Sequence, residues 1–440
     1  MHAVPWRRLA IISAGVVLVH AGGAAAAQCS PRPLRVPGAE KQVTACLDDL
    51  TTAGTVASGH TNRADWAGLN ASGTRNPSGV PGIQVDGYFP DDSTTNTNNG
   101  FNHDSQFVIR LPEHWNGGLV ITGSPGNRRQ YANDFIIGDW VLAAGYAFAA
   151  TDKGNTGSQF YLDGRRPGDA IAEWHQRVTQ LTLASKAVVA QRYGRLPRRT
   201  YMTGISNGGY LTRYALEHHP ELYDGGVDWE GTLFRAEGPN LLTFLPPALA
   251  NYPSYAATGD AAAHDAIIAA GFAPGSEFLW PYHNQVYWGL TQNIYRREFD
   301  PDYTGSDATY DYASRPAEVK QAVGRVSNTG RIGKPLITLH GTLDTLLPIR
   351  KDSDVYRGLV ERAGRGWLHR YYRIENGNHV DGLYDTYPDR LRPMLPCYRA
   401  AFLALTDWVD NGRSPSGPQD VPAQSGGDVV NHCSVGGVNY

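Results

Sequence analysis

The sequence predicts an α/β domain: a mostly parallel central sheet, helices on both of its faces, and a large insertion ahead of one late strand. Three observations predict it. Apolar runs of strand length alternate with helix-period segments from about residue 104 to 412. A Gly-rich turn, Gly204-Ile205-Ser206-Asn207-Gly208-Gly209, joins one of those strands directly to a helix. Residues 231–332 separate two core strands, where a crossover needs only about a dozen residues.

In chain order, residues 1–27 carry the pattern of an export signal. Arg7 and Arg8 are its charged start, Leu9 to Val19 its apolar run, and Ala25-Ala26-Ala27 a small-residue cleavage site. The run is short for a membrane span, and no later segment is long and apolar enough to cross a bilayer. A secreted protein is expected, and four cysteines suit that compartment. Sequence proximity favours Cys29 with Cys46 and Cys397 with Cys433, each tying down one terminus. The formal net charge of -3 and the lack of a long basic run give no reason to expect a nucleic acid or an anionic membrane as partner.

Residues 28–103 form a loop-rich segment expected to pack on the core, with a strand candidate at Ile83–Phe89. Residues 104–230 supply the first part of the core. Strands are expected at 104–111, 118–123 and 146–152, and helices at 134–145 and 169–193. The long helix has an apolar stripe through Val178, Leu181, Ala184 and Val188. The elbow strand and helix and the strand 225–229 follow. Residues 231–332 are the insertion, rich in Tyr, Phe and Trp and placed to become a lid over the sheet's C-terminal edge. Trp280 and Trp288 are its candidate substrate contacts. Residues 333–440 complete the core, with strands at 335–340 and 368–374, helices at 354–363 and 399–409, and a tail.

The elbow carries the chemistry. A serine in a tight strand-to-helix turn is forced into strained backbone geometry that only small neighbours permit, and its hydroxyl is held up at the sheet edge. The helix beginning there offers free N–H groups to a developing oxyanion. A serine hydroxyl needs a histidine base held by a carboxylate, and on this fold the chain order is Ser, acid, His. Downstream of Ser206, Asp344 follows an apolar strand within His340-Gly341-Thr342-Leu343-Asp344, and His379 ends Glu375-Asn376-Gly377-Asn378-His379. Ser206, Asp344 and His379 are therefore the predicted nucleophile, acid and base. His340, at a strand end, is expected to be a buried structural histidine, and His432 lies in the tail. Asp381 and Asp385 are rival acids, better read as solvated loop residues. The Asn207 N–H is one expected oxyanion donor. The second falls in Gly123-Ser124-Pro125-Gly126-Asn127, where proline has no N–H and Ser124 or Gly126 must serve.

From about Asp104 to Gly412 the chain resembles the α/β-hydrolase superfamily, and more narrowly the secreted tannase and feruloyl esterase group. The matching pieces are Ala150-Thr151-Asp152-Lys153-Gly154-Asn155-Thr156-Gly157, the elbow, Pro220-Glu221-Leu222-Tyr223-Asp224-Gly225, and His340-Gly341-x-x-Asp344-x-x-x-Pro348. That group carries a cysteine before the nucleophile bonded to one beside the catalytic histidine; here those neighbours are Ile205 and Val380. The departure points to a sister group, the extracellular 3-hydroxybutyrate-oligomer and other polyester hydrolases. The resemblance also raises a structural calcium in the lid, but Asp300, Asp302, Asp307 and Asp311 do not reproduce that group's loop, and a solvated acidic loop is expected. The resulting expectation is a secreted serine esterase acting through an acyl-enzyme on small or polymeric esters, aromatic acyl esters or hydroxyalkanoate oligomers, with no metal or organic cofactor. A peptidase on the same fold, or a binding module without chemistry, are the alternatives.

Overall fold

A computed structural model describes residues 33–416, 419–424 and 426–440. The expected export signal and Cys29 lie outside them. Ten strands form one sheet: β1 (Lys41–Leu47), β2 (Gly82–Tyr88), β3 (Gln106–Pro112), β4 (Gly118–Gly123), β5 (Ala147–Thr151), β6 (Arg199–Ile205), β7 (Gly225–Trp229), β8 (Leu336–Gly341), β9 (His369–Ile374) and β10 (Gln419–Val421). Their spatial order is β1-β2-β3-β5-β4-β6-β7-β8-β9-β10. The pairs from β1 through β3 to β5 are antiparallel, and every pair from β5 through β4 to β10 is parallel. The chain order reverses between β4 and β6, the place where such sheets open a crevice at their C-terminal edge.

Buried strands β4 to β8 read as apolar runs because helices cover both faces. The longer helices outside the β7–β8 segment are α1 (Asp169–Tyr193), α2 (Asn207–His218), α7 (Ser353–Arg362) and α8 (Leu395–Asn411). Successive residues of β7 show the two faces. A Cβ added at Gly225 would meet Leu405 and Val409 of α8, and one at Gly226 would meet Thr212 and Leu216 of α2. The helix α8 starts at Leu395, ahead of the expected Arg399, with Pro396 in its first turn where the missing N–H costs nothing. Cys397 on α8 is disulfide-bonded to Cys433, which fastens the tail to this helix. The segment 134–145 is helical as expected, but its first turn, Asp134–Gly138, is a π-turn.

Between β7 and β8 lie four longer helices, α3 (Leu241–Thr258), α4 (Ala261–Ala270), α5 (Gly289–Phe299) and α6 (Ala317–Gly324). Of the four acids expected to be solvated there, Asp302 and Asp311 are exposed, and the other two are held by cations. Asp300 is buried and pairs with Arg315 at 2.6 Å, and Asp307 pairs with Arg296 at 2.8 Å. Among the described residues no helix is long and apolar enough to cross a membrane.

Candidate active site

Ser206 sits between β6 and α2 with φ 58° and ψ -120°, left-handed backbone that a non-glycine residue adopts only under constraint. Its own peptide supplies the constraint. The Ser206 N–H donates to Trp229 O at 3.0 Å, and its carbonyl accepts from the N–H groups of Tyr210 and Thr232. The glycines are sterically required: a Cβ on Gly204 would lie 2.6 Å from the Gly208 carbonyl carbon, and one on Gly208 2.6 Å from Gly123 O. Helix and strands thus approach backbone to backbone and lift Ser206 to the floor of a cavity of about 170 Å³, which His379 also lines. Among the described residues no hydrogen bond joins Ser206 Oγ to His379, a contact that often tightens only on substrate binding.

Asp344 stands on the loop after β8. Its Oδ1 accepts the N–H groups of Leu346 (2.7 Å) and Leu347 (2.8 Å), and its Oδ2 lies 2.8 Å from His379 Nδ1. Burial alone would raise its pKa, but His379 and His340 outweigh burial and hold it well below the usual carboxylate range. His379 follows β9 through a turn made possible by Gly377, where a Cβ would lie 2.8 Å from the Gly341 Cα. His340 is buried, bonded to Leu347 O and Ser353 Oγ, with Nε2 3.2 Å from Asp344 Oδ2. The rival acids are engaged elsewhere. Asp381, buried rather than solvated, accepts the N–H groups of Met394 and Leu395 at the start of α8, while Asp385 accepts from Ser72. His432 bonds the carbonyl of Tyr440 in the tail.

Of the two oxyanion candidates on the loop after β4, Ser124 is removed by the geometry. Its N–H donates to Thr151 O, its hydroxyl donates to Arg128 O, and that hydroxyl accepts from Lys153 Nζ at 2.6 Å. Gly126, with φ +52°, lines the cavity beside Ser206 and Asn207. The Asn207 side chain ties the site together: Nδ2 donates to Gly126 O (2.9 Å) and Tyr295 Oη (2.7 Å), and Oδ1 accepts from Thr232 (3.0 Å). Lys153 is buried 5.0 Å above the Trp174 ring, and burial lowers its pKa to about 7.

The expected aromatic contacts need correction. Trp280 and Trp288 are fully buried and absent from the cavity lining. Trp280 Nε1 bonds Ser276 Oγ, and Trp288 Nε1 bonds Thr345 O, next to Asp344. Tyr287 and Tyr295 line the cavity instead, with Leu290, Ile294 and, where the resembling group has cysteines, Ile205 and Val380. The tryptophans pack inward because their helices bury the larger rings against the segment's own core: Trp288 meets Phe272 and Tyr252 edge-on.

Sequence reasoning missed Glu230. It follows β7, is fully buried, and places Oε2 3.4 Å from His379 Nδ1. Motif spacing holds no signal for it; only the pairing of β7 with β8 brings it to His379. Glu230, Asp344 and His379 have the mutual spacing of metal ligands, as do Asp91, Asp163 and Glu173. In the second group the Arg177 guanidinium already lies 3.2 Å from Asp91 and 2.7 Å from Glu173, so a cation has a competitor in place.

Residues 93–229 match the family model for tannase and feruloyl esterase, and residues 302–420 match that for 3HB-oligomer hydrolase. A mono(2-hydroxyethyl) terephthalate hydrolase of Piscinibacter sakaiensis is 29% identical over 144 residues, 29% of this chain and 23% of that protein. A probable feruloyl esterase of Arthroderma benhamiae is 27% identical over 148 residues, 30% of this chain and 27% of that protein. The aligned stretches thus span only 23% and 27% of these relatives' lengths. Feruloyl esterase B from Aspergillus oryzae superposes with TM-score 0.54 at 14% identity, covering 86% of this chain and 88% of that one. A second esterase from Aspergillus oryzae gives 0.53 at 13% identity, covering 87% and 88%. The fold is that of the α/β-hydrolases, and the chain resembles both the tannase and feruloyl esterase group and the 3-hydroxybutyrate-oligomer hydrolases.

Proposed function

We propose that this protein is a serine ester hydrolase with Ser206 as nucleophile, His379 as base and Asp344 as the acid that orients it. One observation carries the reading: the strained Ser206 lines one cavity with His379, whose Nδ1 lies 2.8 Å from the buried Asp344 behind it. Ser206 Oγ attacks the ester carbonyl carbon while His379 Nε2 takes its proton. The N–H groups of Asn207 and Gly126 stabilise the oxyanion, and the tetrahedral intermediate collapses as His379 returns the proton to the leaving alcohol. Water then releases the acid by the same route. Asp344 keeps the Nδ1–H tautomer and stabilises the imidazolium.

The substrates are carboxylic esters with an aromatic acyl group or a hydroxyalkanoate oligomer, small or polymeric. An apolar cavity walled by Tyr287, Tyr295, Leu290 and Ile294 supports this choice, because a flat or aliphatic acyl chain gains about 25 cal/mol per Å² removed from water there. The segment 231–332 acts as the lid that sets this preference, between core parts 104–230 and 333–440. The protein is exported and loses residues 1–27, and the Cys397–Cys433 bond is in keeping with an oxidising compartment. The test is hydrolysis of feruloyl, galloyl and 3-hydroxybutyrate esters side by side with peptide anilides. Ester turnover abolished by Ser206→Ala is expected; cleavage of anilides alone would favour a peptidase.

A further inference from the structure

We propose that Glu230 is a second acid of the His379 site, a positioning residue placed to take over the Nδ1–H bond that Asp344 holds. The inference rests on His379 being the base. The two carboxyls come from the ends of neighbouring parallel strands, β7 and β8, and converge on one ring nitrogen: Asp344 Oδ2 at 2.8 Å and Glu230 Oε2 at 3.4 Å. Glu230 Oε1 accepts the Gly341 N–H at 2.6 Å, which clamps β7 to β8. That clamp accounts for one oxygen. It does not account for Oε2, which is buried without a hydrogen-bond partner. Nor does it require a glutamate at φ 50°, a conformation that costs on the order of 1 kcal/mol or more in a non-glycine residue. An orphaned buried oxygen aimed at the base's own N–H is the arrangement of a reserve acceptor.

The charges around Glu230 decide when it can serve. Asp344 faces it from the loop after β8, itself 3.2 Å from His340 of β8, and His379 and Asp381 face it from the loop after β9. Asp228 lies on β7 itself and is paired with Arg213 of α2. His283, between α4 and α5, faces Asp344 and His379. Burial, then the Asp344 charge, pushes the Glu230 pKa well above the ordinary range, so both oppose its ionisation while Asp344 is charged. Neutralising Asp344 removes that repulsion and leaves Glu230 as the carboxylate nearest Nδ1, provided it ionises.

The experiment measures kcat/KM for p-nitrophenyl acetate from pH 5 to 9 on four full-length proteins: wild type, Asp344→Asn, Glu230→Gln and the double variant, with thermal melts as folding controls. Gln keeps the Oε1 acceptor for the Gly341 N–H. Asp344→Asn should retain activity whose acidic limb lies at higher pH than in the wild type, because Glu230 must first lose its proton. Adding Glu230→Gln should lower that activity at least about tenfold further and abolish the displaced limb, whereas Glu230→Gln alone should cost less than Asp344→Asn. Equal activity of Asp344→Asn and the double variant at every pH would overturn the proposal. If the double variant does not fold, an Asp344→Asn profile with its limb unmoved would overturn it equally. Fluorophosphonate labelling of Ser206 in the same samples separates the two ideas: no label on Ser206 defeats the esterase reading, while a labelled Ser206 with no Glu230 effect defeats only this one.

Discussion

Asn207 Nδ2 donates to Tyr295 Oη at 2.7 Å, so the residue that follows the proposed nucleophile is tied to helix α5 of the segment between β7 and β8. The same amide holds Gly126 O at 2.9 Å. The turn at Ser206, the Gly126 loop and the segment between β7 and β8 therefore share one hydrogen-bonded junction, and geometry at one is felt at the others.

Tyr295→Phe should lower kcat/KM for small and bulky esters alike, by about three- to thirtyfold, because it frees one of the two acceptors that fix Asn207. The fold should survive, since the ring remains. Steady-state kinetics on p-nitrophenyl acetate and a feruloyl ester check this; a loss confined to the feruloyl ester would mean that Tyr295 contacts substrate and does not position the loop.

Tyr287→Ala should raise KM for feruloyl esters more than for p-nitrophenyl acetate, since its ring walls the cavity. Trp280→Ala should behave differently. Its ring is wholly buried, and truncation should cost about 3–5 kcal/mol of stability with little change in selectivity. Melts and both KM values on the two variants decide it. A selectivity change in Trp280→Ala without a stability loss would return that residue to the substrate wall.

Arg213→Leu should destabilise the protein by about 3–5 kcal/mol, because it strands two buried carboxylates, Asp228 at 2.6 Å and Asp352 at 2.8 Å. These acids also hold the N–H groups of Gly231 and Leu233, where the chain leaves β7 for the segment 231–332. Chemical denaturation measures the loss, and a change under 1 kcal/mol would contradict the network's role.

Asp344 should also leave a mark on acid stability. Burial, which opposes ionisation, is overcome by His379 and His340, and the folded-state pKa is depressed. A depressed carboxyl contributes stability that is fully present above its unfolded pKa, about 4, and is lost as pH falls through the folded value. The stability gap between wild type and Asp344→Asn should therefore shrink as pH drops from 6 to 3. Melting temperatures at those two pH values check it; a gap that widens toward pH 3 would contradict the shift.

The elbow, Asp344 and His379 were legible because each lies at a strand end in a short motif with a fixed chain order. Their local sequence determines both the turn and the side chain's position at the sheet edge. Glu230 was not legible, since its approach to His379 depends on β7 and β8 being neighbours and on a backbone conformation that nothing nearby in sequence demands. Ser124 and Gly126 could not be separated until the Lys153–Ser124 bond and the Thr151 carbonyl were placed. The lid aromatics misled for a related reason. Aromatic content marks a segment that buries rings, but which rings face the cavity is set by helix rotation, and the larger tryptophans turned inward while Tyr287 and Tyr295, with hydroxyls that tolerate a wet edge, turned to the site. Strands β1 and β10 lie at the two sheet edges; β1 is exposed or half-buried along its length and β10 has only three residues, so each leaves a weak pattern.

The measurement that tests the central claim most directly is peptide mapping after reaction with a fluorophosphonate, run beside turnover of p-nitrophenyl acetate by wild type and Ser206→Ala. The account predicts a single adduct on Ser206, no adduct in the variant, and a loss of kcat on the order of 10⁴–10⁶ with an unchanged melting temperature. An adduct on another serine, or a Ser206→Ala protein that turns over the ester at the wild-type rate, would contradict it.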